Sequence, residues 1–358
     1  MNPNVSRRQM LQMLAGGLPI VSVASSIVAA EAASRKRLGI GMHSYGAHWK
    51  AARDGHAKAR FSDALEFLQY AHQLGAGGVQ VSIGKKDSSY AAKIRAKAEA
   101  SQMYFEGQLV LPKDESGLDQ FQSELRLAKE AGASVVRTAL LSGRRYETFD
   151  SAEAFQRFRA QSWRSLTLAE PILKRHRLRL AVENHKDWLV PELLEWLRRL
   201  SSEHVGVCID TGNSIALLEE PMEVVEAYAP FAASTHLKDM GVQEYSEGFF
   251  LSEVPLGQGF LELKGIVAVL QKANPKLQFN LEMITRDPLK IPCLTEKYWA
   301  TMPGASAQRL AQALAQVKRS KSAQPLPHTT GLSTDQQLEF EDDNVRKSLA
   351  FARGHLNL

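Results

Sequence analysis

Four short apolar runs in the second half of the chain each end on a side chain that can hold a metal. They span 178–183, 205–210, 231–236 and 277–282, and they end on Glu183, Asp210, His236 and Glu282. The apolar part of each run reads as a buried parallel strand. A carboxylate or imidazole at the C-terminal end of such a strand is where a β/α barrel places its chemistry. Two Glu, one Asp and one His make a donor set for one divalent cation. Carboxylate oxygens favour Mn²⁺ first, with Mg²⁺ next, while the imidazole also admits Zn²⁺, Co²⁺ or Fe²⁺. Such a set leaves positions open for substrate oxygens. A carbonyl and a neighbouring hydroxyl held there acidify the C–H between them. One glutamate, Glu183 or Glu282, removes that proton and the other returns one elsewhere. Four unrelated buried carboxylates or imidazoles would each need a separate partner to offset their burial, so a shared ion is the simpler account.

These residues need a scaffold, and the rest of the chain supplies the pattern for one. The first strand is read at 38–43, a helix at 61–74, a strand at 79–84, and a helix at 88–101. A strand at 103–107, a helix at 118–131, a strand at 134–138 and a long helix at 152–176 follow. Helices at 187–200, 221–228 and 261–273 separate the four metal-bearing runs, and 240–259 reads as a long loop around Pro255 and Gly257-Gln258-Gly259. The last barrel helix is read at 306–318. Eight strand–helix units predict an α/β fold, a (β/α)8 TIM barrel over 37–318. No G-x-G-x-x-G follows the first strand, which argues against a dinucleotide fold. Residues 319–358 read as a Ser/Pro/Thr-rich linker, an acidic run at 339–343 and a terminal helix near 345–353, an arm appended to the barrel.

Composition narrows the class. The chain has 358 residues, 44% hydrophobic and 23% charged, enough for one large soluble domain. The net charge of +5 is spread along the chain, so no nucleic-acid partner is expected. With only Cys208 and Cys293, a disulfide framework is excluded, and Cys208 is expected to pack as a small apolar residue. At the N-terminus, Ser6-Arg7-Arg8-Gln9-Met10-Leu11 precedes an apolar stretch and Ala30-Glu31-Ala32. This reads as a twin-arginine export signal over 1–32, implying the twin-arginine machinery as a partner and a periplasmic or extracellular location. Gly16, Gly17 and Pro19 weaken the stretch as a membrane anchor.

Further polar residues fall near the same barrel face. His43 ends the first strand, Glu106 the third and Arg137 the fourth, and each is a candidate to touch substrate. Arg144-Arg145-Tyr146 continues a basic loop suited to an anionic or hydroxylated ligand. Trp49 is read either as stacking on a sugar or as packing against the first helix.

The motifs Val182-Glu183-Asn184-His185, Ile209-Asp210-Thr211-Gly212-Asn213, Thr235-His236-Leu237-Lys238-Asp239 and Leu281-Glu282 resemble those of the xylose-isomerase-like barrels. Within that superfamily they are similar to the sugar phosphate isomerase/epimerase group, which includes tagatose epimerases, hydroxypyruvate isomerases and inosose dehydratases. The resemblance covers roughly 38–318 and includes the Gly257-Gln258-Gly259 turn. It implies Glu183, Asp210, His236 and Glu282 as metal ligands, with both glutamates handling protons. It implies substrate contact by His185, and by Lys238 and Asp239, which either orient the His236 loop or bind substrate. Sugar epimerases commonly carry a histidine three residues after the aspartate; this chain has Asn213, which can bind a hydroxyl but cannot take up a proton. The expected function is therefore a metal-dependent sugar isomerase or epimerase working through an enediolate. Close behind stands a lyase or dehydratase that expels a β-leaving group, for instance from a 3-keto-glycoside or an inosose. An apurinic-endonuclease-like enzyme and a non-catalytic sugar-binding barrel rank lower. Substrate, stereochemistry and homo-oligomeric state are left open by the residues.

Overall fold

The structure is a computed structural model that describes residues 37–358 except residue 305. The expected export signal lies outside the described residues. Residues Arg37–Leu358 form one compact unit.

Eight parallel strands close into a barrel. They are β1 (Gly39–Gly41), β2 (Gly78–Val81), β3 (Tyr104–Gln108), β4 (Val135–Thr138), β5 (Arg179–Glu183), β6 (Val205–Asp210), β7 (Ala232–Leu237) and, after an excursion, β10 (Asn280–Leu281). β1 pairs with both β2 and β10, which closes the ring. The excursion holds β8 (Asp239–Tyr245) and β9 (Gly248–Val254), and β11 (Leu289–Ile291) joins them in a separate antiparallel sheet. The longer helices are α1 (Gly46–Arg53), α2 (Ala64–Gln73), α3 (Ser88–Ala100), α4 (Leu118–Glu130), α5 (Ala152–His176), α6 (Val190–Leu200), α7 (Pro221–Tyr228), α8 (Leu263–Ala273), α9 (Ala307–Arg319) and α10 (Thr334–Phe351).

The local causes are ordinary ones. Every residue of β6 and β7 is buried, because barrel strands have helices on one face and packed side chains on the other. Asp63 and Asp87 cap α2 and α3 by accepting from the Glu66 and Tyr90 N–H groups. Leu180, Val182, Val207, Ile209, Leu237 and Leu281 are fully buried and form the wall behind the metal-bearing strand ends.

Two expectations are corrected here. The expected loop at 240–259 is mostly the β8–β9 hairpin. Its sequence alternates poorly, and the tight turn after Tyr245 with Gly248 at a positive φ went unrecognised beside the more obvious Gly257-Gln258-Gly259. The helix expected to complete the barrel at 306–318 packs instead on this extra sheet, where Val317 joins Met240, Val242, Phe249, Leu251 and Ile291. Of the two readings of Trp49, packing is the one seen: its ring lies 4.6 Å from Phe61 and 5.5 Å from Phe67 in an aromatic cluster.

The C-terminal helix lies beyond the barrel strands in sequence and packs on the barrel's outside. It starts at Thr334 rather than near 345, because Ser333 and Gln336 form a reciprocal capping box. Val345, Leu349, Ala352, Leu356 and Leu358 belong to the main apolar core. Two residues of the acidic run, Glu341 and Asp342, are turned inward. Glu341, 1% exposed, accepts from the N–H groups of Ala47 at 2.7 Å and His48 at 3.0 Å, and faces His48 Nδ1 at 3.1 Å. Asp342 accepts from the Tyr70 hydroxyl. Glu341 therefore anchors α10 to the first turn of α1. Glu341→Ala is expected to cost about 2–4 kcal/mol in chemical denaturation, since it leaves buried donors without an acceptor.

Candidate metal centre

Glu183 ends β5, Asp210 ends β6, His236 is the penultimate residue of β7, and Glu282 follows β10. The strand register puts Asp210 opposite His236, and Asn280 opposite His236 on the other side. The four side chains thus emerge at nearly one level. One donor atom from each lies within 4.8 Å of all the others. His236 Nδ1 stands 3.4 Å from Glu183 Oε2, 3.7 Å from Asp210 Oδ2 and 3.2 Å from Glu282 Oε1. None of the four is more than 3% exposed.

Second partners aim these donors. Gln80 accepts from His236 Nε2 at 2.7 Å, and its own amide donates to Glu106 Oε2 at 2.9 Å. That leaves His236 Nδ1 facing the centre. Asp210 Oδ1 is taken by the N–H groups of Gly212 at 2.9 Å and Asn213 at 2.8 Å, so Oδ2 faces inward. Asn184 holds the Asp210 backbone in both directions, donating to its carbonyl at 3.0 Å and accepting from its N–H at 2.8 Å. His236 Nδ1 is buried with no hydrogen-bond partner. A buried orphan nitrogen among converging carboxylates suits a cation, and this quartet could hold one divalent ion.

The charge balance supports the same conclusion. Burial would raise the Glu183 carboxyl, but Arg137 and His236 hold it well below the usual carboxylate range. Burial acts likewise on Glu282, and His236 and Lys238 overcome it. Arg137 grips Glu183 Oε2 with two guanidinium nitrogens, Nε at 2.7 Å. Asn213 Nδ2 donates to Glu183 Oε1 at 2.9 Å. Lys238, 1% exposed, reaches Glu282 Oε2 at 2.7 Å and Asp210 Oδ2 at 3.0 Å.

The other sequence candidates fall into distinct places. Asn213, Lys238 and Arg137 lie against the quartet. His43, in the turn after β1, stands 3.2 Å from Gln108 Oε1; burial lowers its pKa and Glu282 offsets part of that. His185 is half-buried, its Nδ1 has no hydrogen-bond partner, and burial and Lys186 push its pKa down to about 3, so the ring is neutral. Glu106 does not reach the quartet directly. It sits one layer away, accepting from Gln80, Ser234 at 2.6 Å and Asn280 at 2.9 Å. Asp239 turns aside too. It accepts from the N–H groups of Gly257 and Gly259 at 2.9 Å each, and from Met240 and Leu261. Its work is to fasten the glycine turn; a Cβ on Gly259 would collide with the Asp239 carboxylate. Of the Arg144-Arg145 pair, Arg145 is buried on Glu192 and Thr301 rather than open to a ligand.

Sequence reasoning missed Gln80, Lys186, Glu253 and Arg286. Glu253 arrives from β9, pairs with Arg286 at 2.5 Å and lies 3.6 Å from Lys238. Only the unrecognised hairpin could have pointed to it. Gln80 sits mid-strand, where an inward polar residue was the available signal. Gln80→Ala is expected to weaken metal binding about 10–100-fold in equilibrium dialysis while leaving the fold intact, since it frees His236 to rotate and change tautomer.

A closed parallel barrel carrying a buried Glu-Asp-His-Glu quartet at the ends of its last four strands defines a TIM barrel with a cluster that could hold a metal ion. The chain belongs to the Xylose isomerase-like TIM barrel family, whose model matches residues 68–316. It is 25% identical over 234 residues to 3-oxo-isoapionate decarboxylase of Pectobacterium atrosepticum, covering 63% of this chain and 78% of that protein. Its fold is that of D-psicose 3-epimerase, solved in the presence of D-fructose, with a TM-score of 0.56 at 14% identity over 90% of this chain and 100% of the other. It is also similar to 3-keto-D-glucoside 4-epimerase from E. coli, with a TM-score of 0.53 at 13% identity over 80% and 100% of the two chains.

Proposed function

We propose that the protein is a divalent-metal-dependent enzyme that removes a proton next to the carbonyl of a small keto sugar, forming an enediolate that is reprotonated in an isomerisation or epimerisation. The observation that carries this reading is the quartet itself, with carboxylates at the end of β5 and just past β10 on either side of His236. Glu183, Asp210, His236 and Glu282 would hold the metal, which when bound would supply Lewis acidity to adjacent substrate oxygens. Glu282 is the better placed base. Its Oε2 is held by Lys238, a cation that can settle the charge as the carboxylate gains or loses a proton. Neutral His185, with Nδ1 unpartnered, is suited to receive a substrate hydroxyl. The family, and epimerases among its structural relatives, support this reading.

Bond cleavage is the second reading, favoured by a specific observation. Both oxygens of Glu183 are fastened, one by Arg137 and one by Asn213, and Asn213 stands where epimerases commonly carry a histidine. A site with one base rather than two suits an enolate that, once formed by proton removal, expels a β-leaving group, or an enolate formed by loss of CO₂. The decarboxylase relative accords with that. Metal-loaded protein incubated with keto sugars and keto sugar acids in D₂O separates the two. Exchange at the carbon next to the carbonyl without fragmentation supports isomerisation. Release of CO₂ or of an aglycone supports cleavage, and inertness toward every carbohydrate tested would rule both out.

A further inference from the structure

Lys186 is 2% exposed, and its ammonium donates to Asn213 Oδ1. Among the described residues it has no ion-pair partner, although every other cation around it does. Lys238 is matched by Asp210 and Glu282, Arg286 by Glu253, and Arg137 by Glu183. Lys238 Nζ shares the same Asn213 oxygen at 3.1 Å, so two ammonium groups crowd one neutral acceptor. Burial, then Lys238 and Arg286, push the Lys186 pKa down to about 7, with the Glu253 and Asp210 carboxylates offsetting part of that without forming an ion pair to it. A buried ammonium with one amide acceptor and like charges beside it is costly. Two of its three N–H donors are left over. The group lies two hydrogen bonds from the quartet, through Asn213 to Glu183 Oε1. A divalent cation on the quartet would add further positive charge nearby. A neutral polyol would do nothing for the unmatched ammonium, whereas an anionic oxygen would pair with it.

We propose that Lys186 binds a carboxylate of the substrate, so that the site takes an acidic keto sugar, a sugar acid rather than a neutral ketose. This rests on the carbohydrate reading above and names the substrate class within it. Arg137 and Lys238 do not fill this role, because both are already matched to the quartet's carboxylates. The order of residues around the site gives Lys186 one further mark: it follows His185 directly, so a single loop after β5 presents both the neutral imidazole and the free ammonium.

The test uses the full chain with Mn²⁺ and two matched probes, D-gluconate and D-glucitol, titrated by calorimetry. The wild type is expected to bind gluconate at least about tenfold more tightly than glucitol. Lys186→Met is expected to erase that preference, and Lys186→Arg to keep part of it. The unliganded thermal midpoint of Lys186→Met should equal or exceed the wild type's, since a buried unmatched charge is removed. A lower midpoint would mark Lys186 as structural and overturn the proposal. Equal binding of the two probes, or a gluconate preference that survives in Lys186→Met, would overturn it while leaving the carbohydrate reading intact. Binding of neither probe would sink that reading and this one together.

Discussion

Glu282→Gln is expected to lower proton exchange on a keto sugar by about 10²–10⁴-fold, the range lost when a positioned acid or base is removed. The same change should weaken the metal, which elemental analysis after dialysis would read as a content well below one per chain. Both effects share one cause. Glu282 Oε1 is a donor to the centre, and Oε2 is the oxygen matched by Lys238 at 2.7 Å. An amide in its place is uncharged, cannot accept a proton at useful pH, and turns an N–H₂ toward either the ion or the ammonium. Full metal content with lost exchange would assign Glu282 to proton transfer alone. Retained exchange would remove it from the mechanism. A non-catalytic sugar-binding barrel predicts no loss of exchange, since such a protein has no activity to lose.

Arg137→Met should separate stability from metal binding. In metal-free protein it is expected to cost about 3–5 kcal/mol, because it leaves Glu183 buried without its main counter-charge. The Arg137 guanidinium spans Glu183 Oε2 and is itself 6% exposed, so water cannot take over. Adding Mn²⁺ should then recover most of the lost stability, since an ion on the quartet replaces the missing positive charge. The gain in thermal midpoint on adding metal should be larger in the variant than in the wild type. An equal gain in both would mean that Arg137 and the metal do not share Glu183. With the guanidinium gone, the Glu183 carboxyl moves up toward the ordinary range and becomes a better base, which would raise exchange relative to cleavage if both glutamates compete for the proton.

Much of the scaffold was readable because barrel strands are buried on both faces. That makes short apolar runs such as 205–210 stand out, and a polar residue at the end of each stands out further. The hairpin at Asp239–Val254 was not readable in the same way. It reaches Lys238 through Glu253 and packs α9 through Met240, Val242, Phe249 and Leu251, so its apolar residues do not alternate, and Pro255 with the glycine turn drew the whole stretch into a loop. The start of α10 was written in Ser333 and Gln336, a short signal beside a long Ser/Pro/Thr-rich stretch. Its inward-facing Glu341 and Asp342 were hidden because an acidic run ordinarily faces solvent.

The identities and order of Glu183, Asp210, His236 and Glu282 were determined by sequence alone, because a strand end is a local feature and four of them in series imply one barrel rim. Which atoms meet was decided only by the tertiary structure. Register set Asp210 level with His236, and Gln80 from a distant strand turned the imidazole. Asp239 and Glu106 share the composition of active-site residues, yet one fastens a glycine turn and the other supports Gln80. Lys186 gave no sign in the sequence, because the match or mismatch of a buried charge depends on neighbours brought in from other strands. Residue type is carried by the chain, whereas the balance of charge around it is a property of the assembled interior.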